Sequence, residues 1–122
     1  MKIRIKGNSV RYRLTRAEVE VFCNTGYVEE ETVFPSGVFR YILRAEEGVA
    51  EPTADFTRGT ITVTLPASAR EGWLEDTRVG YSNSADWNDP GALSILVEKD
   101  FACLDNTVED QSDNFPNPNA EC

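Results

Sequence analysis

The sequence contains no histidine, and this absence removes several kinds of active site. Histidine is the commonest general base and the commonest metal ligand in proteins. A Ser-His-Asp triad or a Cys-His pair therefore cannot be assembled from this chain alone. Glycine-rich phosphate-binding motifs are also absent. No complete catalytic set is present, which favours a protein without enzymatic activity, and we expect no cofactor.

Cysteine and long apolar runs are scarce as well. The three cysteines, Cys23, Cys103 and Cys122, are too few for a disulfide-stapled scaffold. No apolar stretch approaches the roughly 20 residues needed to cross a bilayer. Residues 1–6 alternate charged and apolar side chains where a signal peptide would be apolar. We therefore expect a cytoplasmic protein with no membrane partner.

Basic residues are few and unevenly placed. The chain has 12 Lys and Arg against 21 Asp and Glu, for a net charge of -9. Residues 1–16 hold six bases and no acid: Lys2, Arg4, Lys6, Arg11, Arg13 and Arg16. The net charge disfavours nucleic acid as a partner, although a local basic face remains compatible with it. The alternative is that these bases lie on the solvated faces of two strands.

The first half of the chain has the pattern of four strands and one helix. With 122 residues, 40% hydrophobic and 27% charged, the chain fits one globular domain over residues 1–122. Alternating polar and apolar residues predict strands, and Thr15 with Glu18 forms a capping box that starts a short helix. Gly26 ends that helix. The predicted elements cover about residues 2–6, 10–14, 16–24 (the helix), 27–34 and 38–45.

The same order of elements returns in the second half. It covers residues 54–57, 60–65, 66–76 (a second short helix), 79–82 and 93–99. Apolar positions match at an offset of 51 residues, so that Tyr12 falls on Val63 and Phe22 on Trp73. We predict an internally duplicated ββαββ unit, with pseudo-repeats of about 2–46 and 53–99. The predicted fold class is α+β, mainly antiparallel β, with two short helices. The predicted core is Ile3, Ile5, Val10, Tyr12, Leu14, Val19, Phe22, Phe39, Tyr41, Leu43, Ile61, Val63, Leu65, Trp73, Leu74, Leu93, Ile95 and Val97.

The run from Ile5 to Thr15, with its Gly7-Asn8-Ser9 step and a short helix before Gly26 and an acidic strand, carries a family resemblance. It resembles the swapped-hairpin barrels of AbrB-type transition-state regulators and MazE-type antitoxins, over residues 2–34 and more loosely over 54–82. Thr15 stands where those families have a proline, which the second half keeps as Pro66. The resemblance implies a swapped-hairpin-like barrel with both halves in one chain, hence a pseudo-dimeric monomer and not a dimer. It also implies DNA binding through Arg4, Lys6, Asn8, Arg11 and Arg13.

That resemblance is incomplete in the second half. Only Arg58 occupies the matching loop there, so a symmetric DNA-binding face is not expected. The whole chain is also similar to small uncharacterised bacterial proteins with a Lys-Ile-Arg start and an acidic, cysteine-containing tail. That second similarity implies no activity.

Residues 100–122 form a C-terminal strap with little periodicity and many turn residues, and three interpretations stay open. In the first interpretation, Phe115 packs on the barrel and the cysteines are free. In the second, Cys103 and Cys122 form a disulfide, which a reducing cytoplasm disfavours. The third interpretation is a metal site. Its ligands would be Cys103, Asp105, Asp110, Asp113 and Cys122, although two cysteines without histidine fall short of the usual four zinc ligands.

The loop before the last strand offers a further candidate. Asp86, Asp89 and Glu98 are a candidate carboxylate group for acid–base chemistry, and Trp87 suits a ligand contact or a loop anchor equally. Our leading hypothesis is a non-enzymatic binding protein whose partner is an unknown protein or ligand. DNA-binding regulation and metal binding are the alternatives.

Overall fold

The structure, a computed structural model, describes residues 1–85 and 88–101. Within these residues, one α-helix and eight strands confirm the α+β, mainly β class. No helix in the described ranges has the length and apolar character needed to cross a membrane. The elements are β1 (Lys2–Ile5), β2 (Ser9–Leu14), α1 (Arg16–Thr25), β3 (Tyr27–Phe34), β4 (Gly37–Glu46), β5 (Thr53–Thr57), β6 (Thr60–Pro66), a 3-10 turn (Ala67–Arg70), β7 (Gly80–Ser82) and β8 (Ser94–Lys99).

The strands form two four-stranded sheets, each built from two hairpins. Sheet A has the order β1-β2-β8-β7, and sheet B has the order β3-β4-β6-β5. The hairpin neighbours are antiparallel, whereas the central pairs β2–β8 and β4–β6 are parallel. Each sheet therefore joins one hairpin from the first half of the chain to one from the second half.

The implied closed barrel is wrong for the described part of the chain. The outer strands of sheet A, β1 and β7, have no hydrogen-bonded neighbour in sheet B. The sheets are joined by side chains packed between their inner faces. Tyr12 shows this best, because its buried hydroxyl donates a hydrogen bond to the Ile61 carbonyl of the opposite sheet at 3.3 Å. Burial raises the pKa of that hydroxyl, so the phenol stays protonated.

The helix α1 forms as its sequence predicts. The Glu18 amide donates to Thr15 Oγ1 and the Thr15 amide donates to Glu18 Oε1, which completes the capping box. Gly26 ends the helix in the left-handed conformation. Arg70, from the second half, donates to the carbonyl oxygens of Cys23 and Asn24 at 3.2 and 2.8 Å. A cation at this end also complements the helix dipole.

The second predicted helix, over residues 66–76, is wrong. Only the single 3-10 turn Ala67–Arg70 forms, because the residue at its N-cap is Pro66, which has no side-chain acceptor to cap it. Glu71 is already extended, and Gly72 follows with a φ of 73°. The short turn still brings Trp73 into the core, where it is fully buried.

The core lies between the inner faces of the two sheets and confirms most of the predicted positions. Fully buried side chains include Tyr12, Leu14, Phe22, Leu43 and Trp73. Ile5 is a correction, because its side chain is 56% exposed. It ends β1 at the mouth between the sheets, where the strand runs beyond the packed region.

The backbone amine of Met1 is held inside the protein. It donates hydrogen bonds to carboxylates of Glu18 and Glu30, the latter at 2.9 Å, and the Tyr41 hydroxyl donates to the Met1 carbonyl at 2.8 Å. Burial alone would lower the pKa of this ammonium, but the two carboxylates outweigh burial and raise the pKa above its usual value. Burial would likewise raise the pKa of Glu18, but bonds from Met1 and Thr15 lower it. The first strand is thus tied to both α1 and sheet B.

Candidate functional site

The outer face of sheet A gathers most of the residues that the sequence marks for DNA binding. In the hairpin β1–β2, Lys2 lies opposite Arg13 and Arg4 lies opposite Arg11. Because their neighbours Ile3 and Tyr12 point to the inner face, these four bases share the outer face. We name these four residues the basic face. Four cations on adjacent strands repel one another unless anions lie among them.

Glu98, on β8, is an anion within the basic face. The parallel register places it opposite Arg13. Its Oε1 atom accepts from Arg11 Nε at 2.7 Å and from Arg13 Nε at 3.0 Å. The side chains of Glu98 and Arg11 are only 14% and 17% exposed, whereas Arg13 is 40% exposed. Glu98 therefore bridges the two arginines, and Arg11 is held within the sheet face.

Lys6 and Asn8 lie beside this face on the turn between β1 and β2. The Asn8 side-chain amide donates to the Ala92 carbonyl at 2.5 Å, and the Asn8 carbonyl accepts from the Ser94 amide. Asn8 thus fixes the start of β8 against the turn.

An apolar groove opens at the mouth between the two sheets, beside the same turn. Its volume is about 400 Å³. The starts of the four central strands and the ends of β1 and β5 meet there. We name this the apolar groove, and its main lining side chains are Ile5, Val10, Phe39, Phe56, Ile61 and Leu93.

Both halves of the chain contribute to the lining of the groove. Val10 and Ile61 match at the offset of 51 residues, and Ile5 and Phe56 share that offset. Phe39 and Leu93 match after the short insertion. The sequence alone does not identify this site, because the alternation of residues 2–6 predicts Ile5 to be in the core. Phe56 is a signal of the groove in the sequence, because it is a large apolar residue at the strand end that corresponds to Ile5 in the other half.

A second cavity, of about 350 Å³, is more polar and lies near Leu14 and Phe101. Its charged residues hold local structure. The hydrogen bond from Arg78 lowers the pKa of Asp76, and Lys99 donates to the Asp76 carbonyl at 2.8 Å. Lys99 also lies 5.9 Å from the ring centre of Trp73. These contacts fix the irregular segment that carries Trp73.

The remaining candidates receive no site from the described residues. In residues 1–85 and 88–101, no group of three or more metal-ligating side chains comes together. Asp89 accepts from the Gly91 amide at 2.9 Å in its own turn. Asp86 and Trp87 lie outside the described residues. So do the predicted metal ligands and disulfide partners, Cys103, Asp105, Asp110, Asp113 and Cys122.

Comparison with known proteins gives a family but no activity. A family model matches residues 1–119, and its description is a family of unknown function (DUF7009). The match covers nearly the whole chain, so the chain belongs to that family. No curated protein and no solved structure matches it.

Proposed function

We propose that this DUF7009 protein is a non-enzymatic binding protein that holds one small, predominantly apolar molecule in the apolar groove. The observation that carries the proposal is the convergence of seven apolar side chains, Ala54 and the six main lining residues, on a space of about 400 Å³. Pockets for small molecules usually measure about 300–1,000 Å³ and are mostly apolar. Ile5 and Phe56 are 56% and 65% exposed, so an occupant would remove apolar surface from water.

The polar groups at the rim support binding more than chemistry. Ser9 Oγ donates to the Lys6 carbonyl at 2.6 Å, and the Asn8 amide is bonded to Ala92. Thr57 donates to the Asp55 carboxylate at 3.1 Å. These bonds shape the turns around the groove. They leave the apolar side chains to provide the binding free energy.

The test is a titration with N-phenyl-1-naphthylamine, an uncharged apolar dye that fluoresces in dry surroundings. We expect saturable binding of one dye per chain. Ala54, on β5, also lines the groove. The variant Ala54→Trp places a large side chain in that space and should weaken binding about tenfold or more, because a buried apolar side chain is worth about 1.5–3 kcal/mol. Val33→Ser, on the exposed β3–β4 hairpin outside the groove, is the matched control.

Equal binding by the native protein and Ala54→Trp would contradict the proposal. A dimer in sedimentation that Ala54→Trp converts to a monomer would do so too, since the occupant would then be a second copy.

A second candidate, favoured by the basic face, is binding of duplex DNA. The Lys2 and Arg13 side chains are 72% and 40% exposed, and Arg4 is exposed as well. In fluorescence anisotropy, Arg13→Ala should weaken binding and reduce its salt dependence. Arg40→Ala, on sheet B, should leave both unchanged. Absence of binding at low salt would exclude this candidate.

The chain topology supports an internally duplicated ββαββ unit, which we also propose. In a duplicated unit that exchanges hairpins, each sheet would combine the first hairpin of one half with the second hairpin of the other. Sheet A combines β1–β2 with β7–β8, and sheet B combines β5–β6 with β3–β4. A relation to AbrB-type and MazE-type proteins would follow from the same exchange. A solved family member whose two halves superpose poorly would argue against it.

A further inference from the structure

Two hairpin turns border the apolar groove, one from each half of the chain. The first, over residues 6–9, joins β1 to β2, and its residues Gly7 and Asn8 line the groove. The second, over residues 57–60, joins β5 to β6 just after the lining residue Phe56. The groove therefore opens between two turns that belong to different sheets.

Equivalent hydrogen bonds hold the two turns in place. The Asn8 carbonyl accepts from the Ser94 amide, and the Gly59 carbonyl accepts from the Arg40 amide, both at 3.0 Å. Asn8 and Gly59 stand at the offset of 51 residues that relates the two halves. Each turn is thus fixed to the neighbouring strand from the other half, and the two turns occupy defined positions at the mouth.

Each turn carries one exposed cation. Lys6 directly follows the lining residue Ile5, and Arg58 closely follows Phe56. Both side chains are exposed. In the part of the chain that the structure describes, neither side chain has an ion pair or a hydrogen bond. Because long basic side chains can lie along apolar surface while their charged ends stay in water, both cations are available to an anion at the mouth.

The first turn also offers backbone donors. Among the described residues, the amide N–H groups of Gly7 and Asn8 have no acceptor. Successive backbone N–H groups in a turn form anion-binding concavities. The acid among the lining residues is Asp55, whose carboxylate accepts from Thr57 Oγ1 at 3.1 Å. Its single negative charge opposes an anion, but Lys6 and Arg58 carry two positive charges.

We propose that the occupant of the apolar groove is a medium-chain fatty acid whose carboxylate lies at the mouth, near Lys6 and Arg58. This inference rests on the proposed function and names the class of molecule that the groove binds. A volume of about 400 Å³ is near the lower end of the range for ligand pockets, which favours one short hydrocarbon chain over a lipid with several chains. The apolar lining provides the affinity, and the two cations select the head group.

Displacement of bound N-phenyl-1-naphthylamine tests the head-group preference. Decanoate, decanol and decylamine share one hydrocarbon chain, and at neutral pH their head groups are anionic, uncharged and cationic. We expect decanoate to displace the dye at about three- to tenfold lower concentration than decanol, because exposed ion pairs each contribute a few-fold. Decylamine should be the weakest competitor. The preference for decanoate should shrink near 1 M salt, where the Debye length falls to about 3 Å.

The variants Lys6→Gln and Arg58→Asn remove the two cations one at a time. Arg58 has a φ of 52° and precedes Gly59, and Asn-Gly is a preferred pair in such a turn, so Arg58→Asn keeps the turn. Each variant should reduce the preference for decanoate over decanol about two- to threefold and leave dye affinity unchanged. Arg16→Gln is the matched control, because this exposed residue lies beyond the far end of β2, a strand about 20 Å long.

The outcomes separate this inference from the proposed function. Dye binding with equal displacement by decanoate and decanol would overturn the inference and leave the proposed function standing. Strongest displacement by decylamine would overturn it too, since Asp55 would then select a cationic head group. A preference for decanoate that is unchanged in both variants would show that Lys6 and Arg58 do not bind the carboxylate. Absence of dye binding by the native protein would contradict the proposed function, and this inference with it.

Discussion

Phe22 and Trp73 meet edge to face in the core, with ring centres 6.0 Å apart and ring planes at 87°. Phe22 comes from α1, and Trp73 comes from the irregular segment after the 3-10 turn. Both side chains are fully buried. Trp73 Nε1 donates to the Arg78 carbonyl at 3.0 Å, so the indole also has its polar atom satisfied. This contact joins the two halves of the chain at matching sequence positions.

Phe22→Ala should therefore destabilise the protein strongly. We expect a loss of about 3–5 kcal/mol in the free energy of unfolding, because a large buried side chain leaves a cavity. A double-mutant cycle with Trp73→Leu should give a coupling of about 0.5–1.5 kcal/mol. Urea denaturation followed by circular dichroism measures both. Phe34→Ala, at a side chain that is 53% exposed, should change stability by less than about 0.5 kcal/mol.

Gly80→Ala should disrupt the pairing of β7 with β8. A Cβ atom at this position would lie 2.1 Å from the Val97 carbonyl oxygen and 2.7 Å from the Glu98 Cα. Both obstacles are backbone, so the strands must move apart, at a cost of about 1–3 kcal/mol or more. Urea denaturation measures it. Gly37→Ala is the control, because an added Cβ there would have no atom within 4 Å. Equal effects of the two changes would refute the expectation.

Local sequence signals predicted the elements whose geometry is set by near neighbours. The Thr15–Glu18 capping box, the Gly26 cap and the inward positions Tyr12 and Leu14 all follow from short-range patterns. The shortened second helix did not, because its apolar spacing resembled a helix while Pro66 and Gly72 prevented one. Local patterns therefore fail where the backbone cannot follow the side-chain periodicity.

The candidate sites depended on long-range relations that the sequence does not display. The basic residues were recognisable from composition, but their partner Glu98 required the parallel register of β2 with β8. The apolar groove depends on how the two sheets diverge at one end. Because of that divergence, the side chain of Ile5 is exposed, although the alternation in its strand predicts a core position.

Glu98→Gln should cost more stability than the loss of an ordinary surface carboxylate. It removes the anion that the largely buried Arg11 and the half-exposed Arg13 share. We expect a loss between the roughly 0–1 kcal/mol of an exposed pair and the roughly 3–5 kcal/mol of a buried one. Glu31→Gln is the matched control, because the Arg40–Glu31 pair is 46% and 44% exposed. Equal shifts of the urea midpoint in Glu98→Gln and Glu31→Gln would contradict the expected larger cost at Glu98.

The contact between Met1 and Glu18 should make stability depend on pH at both ends of the range. The lowered pKa of Glu18 stabilises the fold above its usual value of 4.5, and this contribution is lost as pH falls through the folded pKa. The raised pKa of the Met1 ammonium stabilises the fold below 8.0, and this contribution is lost as pH rises through the folded pKa. The stability difference between the native protein and Glu18→Gln should thus be largest between these values.

Urea denaturation at a series of pH values measures that difference. Glu20→Gln, on the exposed side of α1, corrects for the loss of one negative charge from the protein. Native and Glu18→Gln curves that stay parallel from acid to alkaline pH would rule out the contribution.

The exchange of hairpins between the sheets has a consequence for synthesis on the ribosome. In sheet A, Ser9 on β2 pairs with Ser94 on β8, and in sheet B, β4 pairs with β6. Both pairings join the two halves of the chain, so they form only after the first half is complete. Neither four-stranded sheet can form while only the first half has been synthesised. The first two hairpins therefore emerge with their apolar faces exposed to water. Non-local pairing of this kind slows folding and exposes the nascent chain to aggregation. Conversely, separately synthesised halves should recover the native sheets only when both are present.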